Sequence, residues 1–282
     1  MRRLVRFAAA LALVPLGLPV SGQGFPGLSG AGASPLQALH SAEEARGWHA
    51  VGRLDTGVSF CTATLIAPDL VLTAAHCLFS AEGRRLPDAD LSFAAGLRHG
   101  EAEAIRGVAH SVLPDGYVRS QGPAEIDTIA LDVALLRLAQ PVPVSSVRPI
   151  AVGAEAAVSR SVALVSYGAE RADYPSIEED CRVLSRTGRV LVLSCQVVSG
   201  SSGAPVILQG PSGPEIAAVV SGRGEVDGAE VSFAVVANGL VPGLVAAGPP
   251  VGIRVPQGGS ITVRRVGDDT ARDGIGALFL RP

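Results

Sequence analysis

An all-β fold is predicted for this chain by three observations. Its apolar residues come in short runs, turn-forming residues separate those runs, and no stretch sustains a long helical period. Runs of roughly 4–8 residues rich in Val, Leu and Ile, bounded by Gly, Pro and Asp, read as strands of a sandwich or barrel. In chain order they are residues 62–66, 70–74, 133–138, 161–166, 190–193, 204–208 and 216–221. The last two follow a Gly/Ser-rich turn and the Gly210-Pro211-Ser212-Gly213-Pro214 stretch, which breaks any helix between them.

A chain of 282 residues that is 48% hydrophobic can bury a substantial core in one or two domains. Its net charge of −3 excludes little, but it contains no lysine, no basic stripe and no interleaving of arginines with aromatics. Nucleic acid is therefore not expected as a partner.

The first residues place Arg2, Arg3 and Arg6 ahead of an apolar run over residues 7–20, followed by Ser21-Gly22-Gln23-Gly24. That is the layout of a secretory signal peptide. The run is too short for a membrane-spanning helix, which needs about 20 apolar residues, and it carries Pro15 and Pro19. Residues 1–22 are assigned to the signal and 23–45, rich in Gly, Ser, Ala and Pro, to a linker or propeptide. Order is expected from near Trp48, in a domain spanning 46–248. In the tail, 249–282, two strand-like runs at 260–266 and 275–280 suggest a hairpin. A secreted or periplasmic protein is expected, monomeric and without stable membrane insertion once the signal is removed.

Export makes the four cysteines legible, because disulfides persist in oxidising compartments. Three pairings are possible, and Cys61–Cys77 with Cys181–Cys195 is the local one. Each would close a loop of about 15 residues, worth ~3 kcal/mol by chain entropy. Neither Cys-x-x-Cys nor His-Glu-x-x-His occurs, so no metal or other cofactor is expected.

Two segments carry chemistry together. Gly200-Ser201-Ser202-Gly203-Ala204-Pro205 is a glycine-flanked turn that exposes a hydroxyl and leaves backbone N–H groups for an oxyanion. Thr73-Ala74-Ala75-His76-Cys77 supplies the base that a serine needs. Ser202 is preferred to Ser201 and Ser199, having glycine two positions before it and one directly after. The N–H groups of Gly200 and Ser202 would form the oxyanion hole. Asp132, an acid inside the apolar run Leu131-Asp132-Val133-Ala134-Leu135-Leu136, is costly there unless paired, and is the preferred orienting carboxylate. Asp127 is the runner-up, and His40, His49, His99 and His110 receive no role. The order His76, Asp132, Ser202 excludes an α/β-hydrolase, whose histidine follows its serine; no histidine follows His110.

With Cys61-Thr62-Ala63-Thr64-Leu65-Ile66 added to these motifs, residues 48–237 resemble the chymotrypsin/trypsin-like serine proteases. The likeness is nearest to the secreted bacterial branch that includes glutamyl endopeptidases, where a cysteine commonly stands seven residues before the nucleophile, as Cys195 does. The resemblance implies two perpendicular six-stranded antiparallel β-barrels with the active site between them. It also implies that Ser221 supports Asp132, and that Gln196, Val220, Gly222 and Arg223 border the pocket for the substrate side chain.

Departures from the family pattern are equally specific. Ser201 stands where Asp or Asn is usual, so a salt bridge to a newly cut amino terminus is not expected to shape the oxyanion hole. Ala63 and Ala204 replace glycines, and Gln196 and Val220 lack the groups that select basic or acidic side chains. The chain is thus expected to be a serine endopeptidase acting on peptides or proteins with a neutral or apolar preference. The alternative is a catalytically weak or inactive module that kept the fold for binding.

Overall fold

The computed structural model describes residues 35–248, except Gln121, Pro123, Ala154 and Asp227. The expected signal peptide and the expected tail hairpin lie outside the described residues. In chain order the strands are β1 (Gln37–Ala38), β2 (Val51–Asp55), β3 (Phe60–Ala67), β4 (Leu70–Thr73), β5 (Ser92–Ala95), β6 (Ala104–Val112) and β7 (Ala134–Leu138). They continue with β8 (Ala151–Val152), β9 (Ser161–Gly168), β10 (Arg171–Thr187), β11 (Val190–Leu193), β12 (Pro205–Gly210), β13 (Gly213–Val226) and β14 (Ala229–Val236). The α-helices among the described residues are short, α1 (Ile126–Ile129) and α2 (Val241–Ala247).

Six strands close the first barrel in the order β2-β3-β4-β7-β6-β5, with every pairing antiparallel. Alternation along each strand points one set of side chains inward. Leu54, Leu65, Val71, Phe93 and Leu136 share one face in register, fill the interior and are fully buried. Each such burial stabilises by roughly 1.5–3 kcal/mol. Only 4% of the chain is aromatic, so aliphatic side chains do most of the filling.

The second sheet pairs β10-β11-β14-β13-β12-β9, and β9 returns to pair with β10, so these six strands also run round a ring. Two short strands are added to it, β1 against β10 and β8 parallel to β13. The 17-residue β10 makes this closure possible: shifts of register along it let one end pair with β11 and the other with β9 and β1.

Residues 35–45, read from sequence as part of a linker, pack on this body. Gln37 pairs with Ile177, and Leu39 and Ala45 are buried. A two-residue strand lies below the length at which alternation is visible in a sequence, so the ordered body begins earlier than composition suggested.

The barrels meet around Thr62 of β3. Its hydroxyl accepts from the Tyr167 N–H (3.0 Å) and donates to the Gly200 carbonyl (2.8 Å). Its own N–H donates to the Ser202 carbonyl (2.8 Å), and Tyr167 of β9 donates its phenol to the Leu97 carbonyl (2.8 Å).

Candidate active site

Antiparallel register brings the first two groups together. Thr73 at the end of β4 pairs with Ala134 at the start of β7, so the residue past one strand lies beside the residue before the other. A single 3₁₀ turn, Ala75–Leu78, then carries His76. The Cys61–Cys77 disulfide ties that turn back to β3, and Cys181–Cys195 forms likewise in the second barrel. Cys61 and Cys77 also lie close to His76 in a cluster of metal-ligand types, but their sulfurs are consumed by the disulfide.

Asp132 is 4% exposed and fully engaged. Its Oδ2 lies 2.7 Å from His76 Nδ1, its Oδ1 accepts the His76 backbone N–H at 2.8 Å, and the Ser221 hydroxyl donates to Oδ2 in a short bond. Burial pushes the Asp132 carboxyl up, but the charge of His76 and the bonds from His76 and Ser221 outweigh it and hold the carboxyl below its ordinary value. A carboxylate so held keeps a proton on Nδ1 and leaves Nε2 as the basic nitrogen. Asp127, the runner-up from sequence, lies in α1 and is exposed.

The serine turn is fixed by glycine geometry. Gly200 and Gly203 adopt φ of +95° and +82°, a region that side-chain-bearing residues rarely occupy. Gly203 donates its N–H to the Val220 carbonyl (2.8 Å) and Val220 returns one to Ala204 (2.9 Å). The next residue on that strand is Ser221, so the turn and the Asp132 donor belong to one hydrogen-bonded unit. Ser202 is partly exposed and Ser201 fully buried, which leaves Ser202 as the accessible hydroxyl of the pair. Among the described residues the Ser202 hydroxyl makes no hydrogen bond, and His76 Nε2 has the Cys77 sulfur 3.9 Å away.

Two cavities draw lining residues from positions 220–222 of β13, where a register shift against β14 interrupts the ladder. One, of about 220 Å³, is lined by His76, Asp132, Ser221, Tyr117 and Arg119 among others. The other, of about 140 Å³, is lined by Val197, Val198, Ser199, Ser202, Val220, Gly222 and Arg223. Val220, Gly222 and Arg223, singled out from sequence, thus line the same small cavity as Ser202. Gln196 does not: its side chain is exposed and it is not among the lining residues. Its backbone N–H is held by the Glu178 carboxylate (2.8 Å), and the side chain turns to solvent.

Sequence reasoning missed Tyr117, Thr62 and Glu178. Burial, and secondarily the neighbouring Asp132 charge, push the Tyr117 phenol above its usual range, so it stays a neutral wall of the larger cavity. Glu178 of β10 is 1% exposed, and burial raises its carboxyl to about 6. Tyr117 lies in an unpatterned loop and Glu178 in the run Glu178-Glu179-Asp180, which reads as a solvated edge.

A solved structure described as a Glu endopeptidase in complex with MPD superposes with a TM-score of 0.62 at 17% identity, covering 75% of this chain and 95% of that one. The model of the trypsin-like peptidase domain matches residues 61–210. That span includes the histidine, the aspartate and the serine turn and exceeds half of the sequence, so this chain belongs to the trypsin-like peptidase family.

Proposed function

We propose that this chain is an exported serine endopeptidase that cleaves peptide bonds through an acyl-enzyme at Ser202. The observation that carries the reading is the buried Asp132 carboxylate, bonded to His76 Nδ1 and to Ser221, whose strand neighbours Val220 and Gly222 line a cavity with Ser202. In this reading His76 Nε2 takes the Ser202 proton as Oγ attacks the scissile carbonyl, and the imidazolium formed is stabilised by Asp132. The developing oxyanion is met by the N–H groups of Gly200 and Ser202, donors worth on the order of 10²–10³ each in rate. His76 then protonates the leaving amine, and water hydrolyses the ester by the same route in reverse. The valine walls of the smaller cavity suit a neutral apolar side chain, with Arg223 exposed at its margin.

Labelling with a fluorophosphonate probe followed by peptide mapping tests this. The adduct is expected on Ser202, absent in Ser202→Ala, and still present, though formed more slowly, in Ser201→Ala. A mature wild type that takes no label sinks the reading in favour of a binding module, which the missing Ser202–His76 bond would then explain.

A further inference from the structure

The turn that bears Ser202 rests on a buried cation. Arg171, the first residue of β10, is only 8% exposed, and among the described residues it forms no ion pair. Taking a guanidinium out of water without a carboxylate is costly, and here burial lowers its pKa, with Tyr174 and Glu178 opposing the shift. Its donors go instead to neutral oxygens. One nitrogen bonds the Ser166 carbonyl, while the other reaches the Ser166 hydroxyl (2.9 Å) and the Ser201 hydroxyl (3.4 Å).

Ser201 completes the arrangement. A hydroxyl offers one donor and two acceptor sites, and here all three are used: it donates to the Tyr167 carbonyl (3.1 Å) and accepts from the Val198 N–H (3.3 Å) and from Arg171. Its backbone N–H closes the same turn onto the Val198 carbonyl (3.0 Å). Room for this exists because residue 168 is glycine: a Cβ there would lie 2.6 Å from Val198 Cγ2 and 3.2 Å from Arg171 Cζ. Two further ties run from the same side, Ala169 N–H to the Ser199 carbonyl (2.8 Å) and Glu178 to the Gln196 N–H.

We propose that Arg171 is a positioning residue for the reaction at Ser202, an internal cation that fixes the oxyanion-binding turn through Ser201. The assignment rests on the reading of Ser202 as nucleophile. An uncharged Ser201 gives a free terminal ammonium nothing to pair with, whereas it is the right acceptor for a guanidinium already folded beneath it. The turn is thus set by the chain's own interior, independently of where the amino terminus is cut.

The fluorophosphonate reaction, followed over probe concentration, separates the maximal labelling rate from the half-saturating concentration. Arg171→Met should lower the maximal rate by roughly 10- to 100-fold, as expected for a misplaced oxyanion donor, and leave half-saturation within about threefold. Adding Arg171→Met to Ser201→Ala should cause little further loss, because the serine change already removes the hydroxyl through which Arg171 acts. Arg171→Lys keeps the charge and a donor but not the fork, and should recover part of the rate; it also decides the matter should the methionine variant not fold. Unchanged rates in a folded Arg171 variant, or losses that simply multiply with Ser201→Ala, overturn the assignment. If the wild type itself takes no label, the reading of Ser202 fails first and the assignment falls with it.

Discussion

Leaving water costs a carboxylate several kcal/mol, and Asp132 offsets this with three donors from two residues, His76 and Ser221. A bond to a charged acceptor contributes roughly 1.5–3 kcal/mol, so Ser221→Ala is expected to lower kcat/KM about 10- to 100-fold. Its fold should remain intact, since Ser221 is not part of either buried core cluster. Equal kcat/KM in wild type and variant would remove Ser221 from the site. The pairing of His76 with Asp132 and the glycine turn at Ser202 were legible because each residue breaks a local rule: an acid inside an apolar run, a histidine at a strand end, a hydroxyl between glycines. Arg171 and Thr62 break none. A threonine suits a strand and an arginine a strand end, and only the tertiary fold shows what their donors reach.

At the scale of elements, the serine turn holds the most closely hemmed-in of the described glycines. A Cβ on Gly203 would stand 2.1 Å from the Thr62 carbonyl and 2.2 Å from Thr73 Oγ1, at a φ already unfavourable to any side chain. Gly203→Ala is therefore expected to destabilise by several kcal/mol, on the order of 3–5 for backbone strain plus overpacking. Urea denaturation monitored by circular dichroism would read it, and an unchanged midpoint would mean the turn is more pliant than its contacts imply. All seven apolar runs singled out in the sequence fall within or across strands of the barrels. The strands that escaped notice carry their polar residues inward or interrupt their alternation. β6 holds an arginine, a glycine and a histidine, and β10 buries Ser176 and Glu178 beside its apolar residues. Periodicity finds a strand only when one face is uniformly apolar, and β10 gives Arg171 and Glu178 to polar contacts beneath the turn.

The whole molecule's response to pH follows from its buried acids. Glu178 has a folded pKa of about 6, above the unfolded value of roughly 4.3. Its burial therefore costs stability above pH ~6 and nothing below pH ~4, with the penalty disappearing as pH falls between them. Asp132, held low, acts the other way: its contribution is present above pH ~4 and is lost on further acidification. Glu178→Gln should accordingly melt higher than wild type at pH 8, with the two converging near pH 4.5. Calorimetric scans across that range test it, and a gap that stays constant with pH would show that Glu178 ionises freely. The two-barrel architecture itself was legible through family resemblance, whereas the strand added by residues 37–38 was not. Thr62 joins the halves, and the order of synthesis gives that joint a further meaning. His76 and Asp132 emerge from the ribosome with the first barrel, Ser202 only with the second, and the Thr62 hydroxyl has no Gly200 carbonyl to grasp until both have folded. Under the proposed function, a cell making this chain carries an unarmed half-site throughout translation, and the hydrolytic hazard arises only once the second barrel has joined the first.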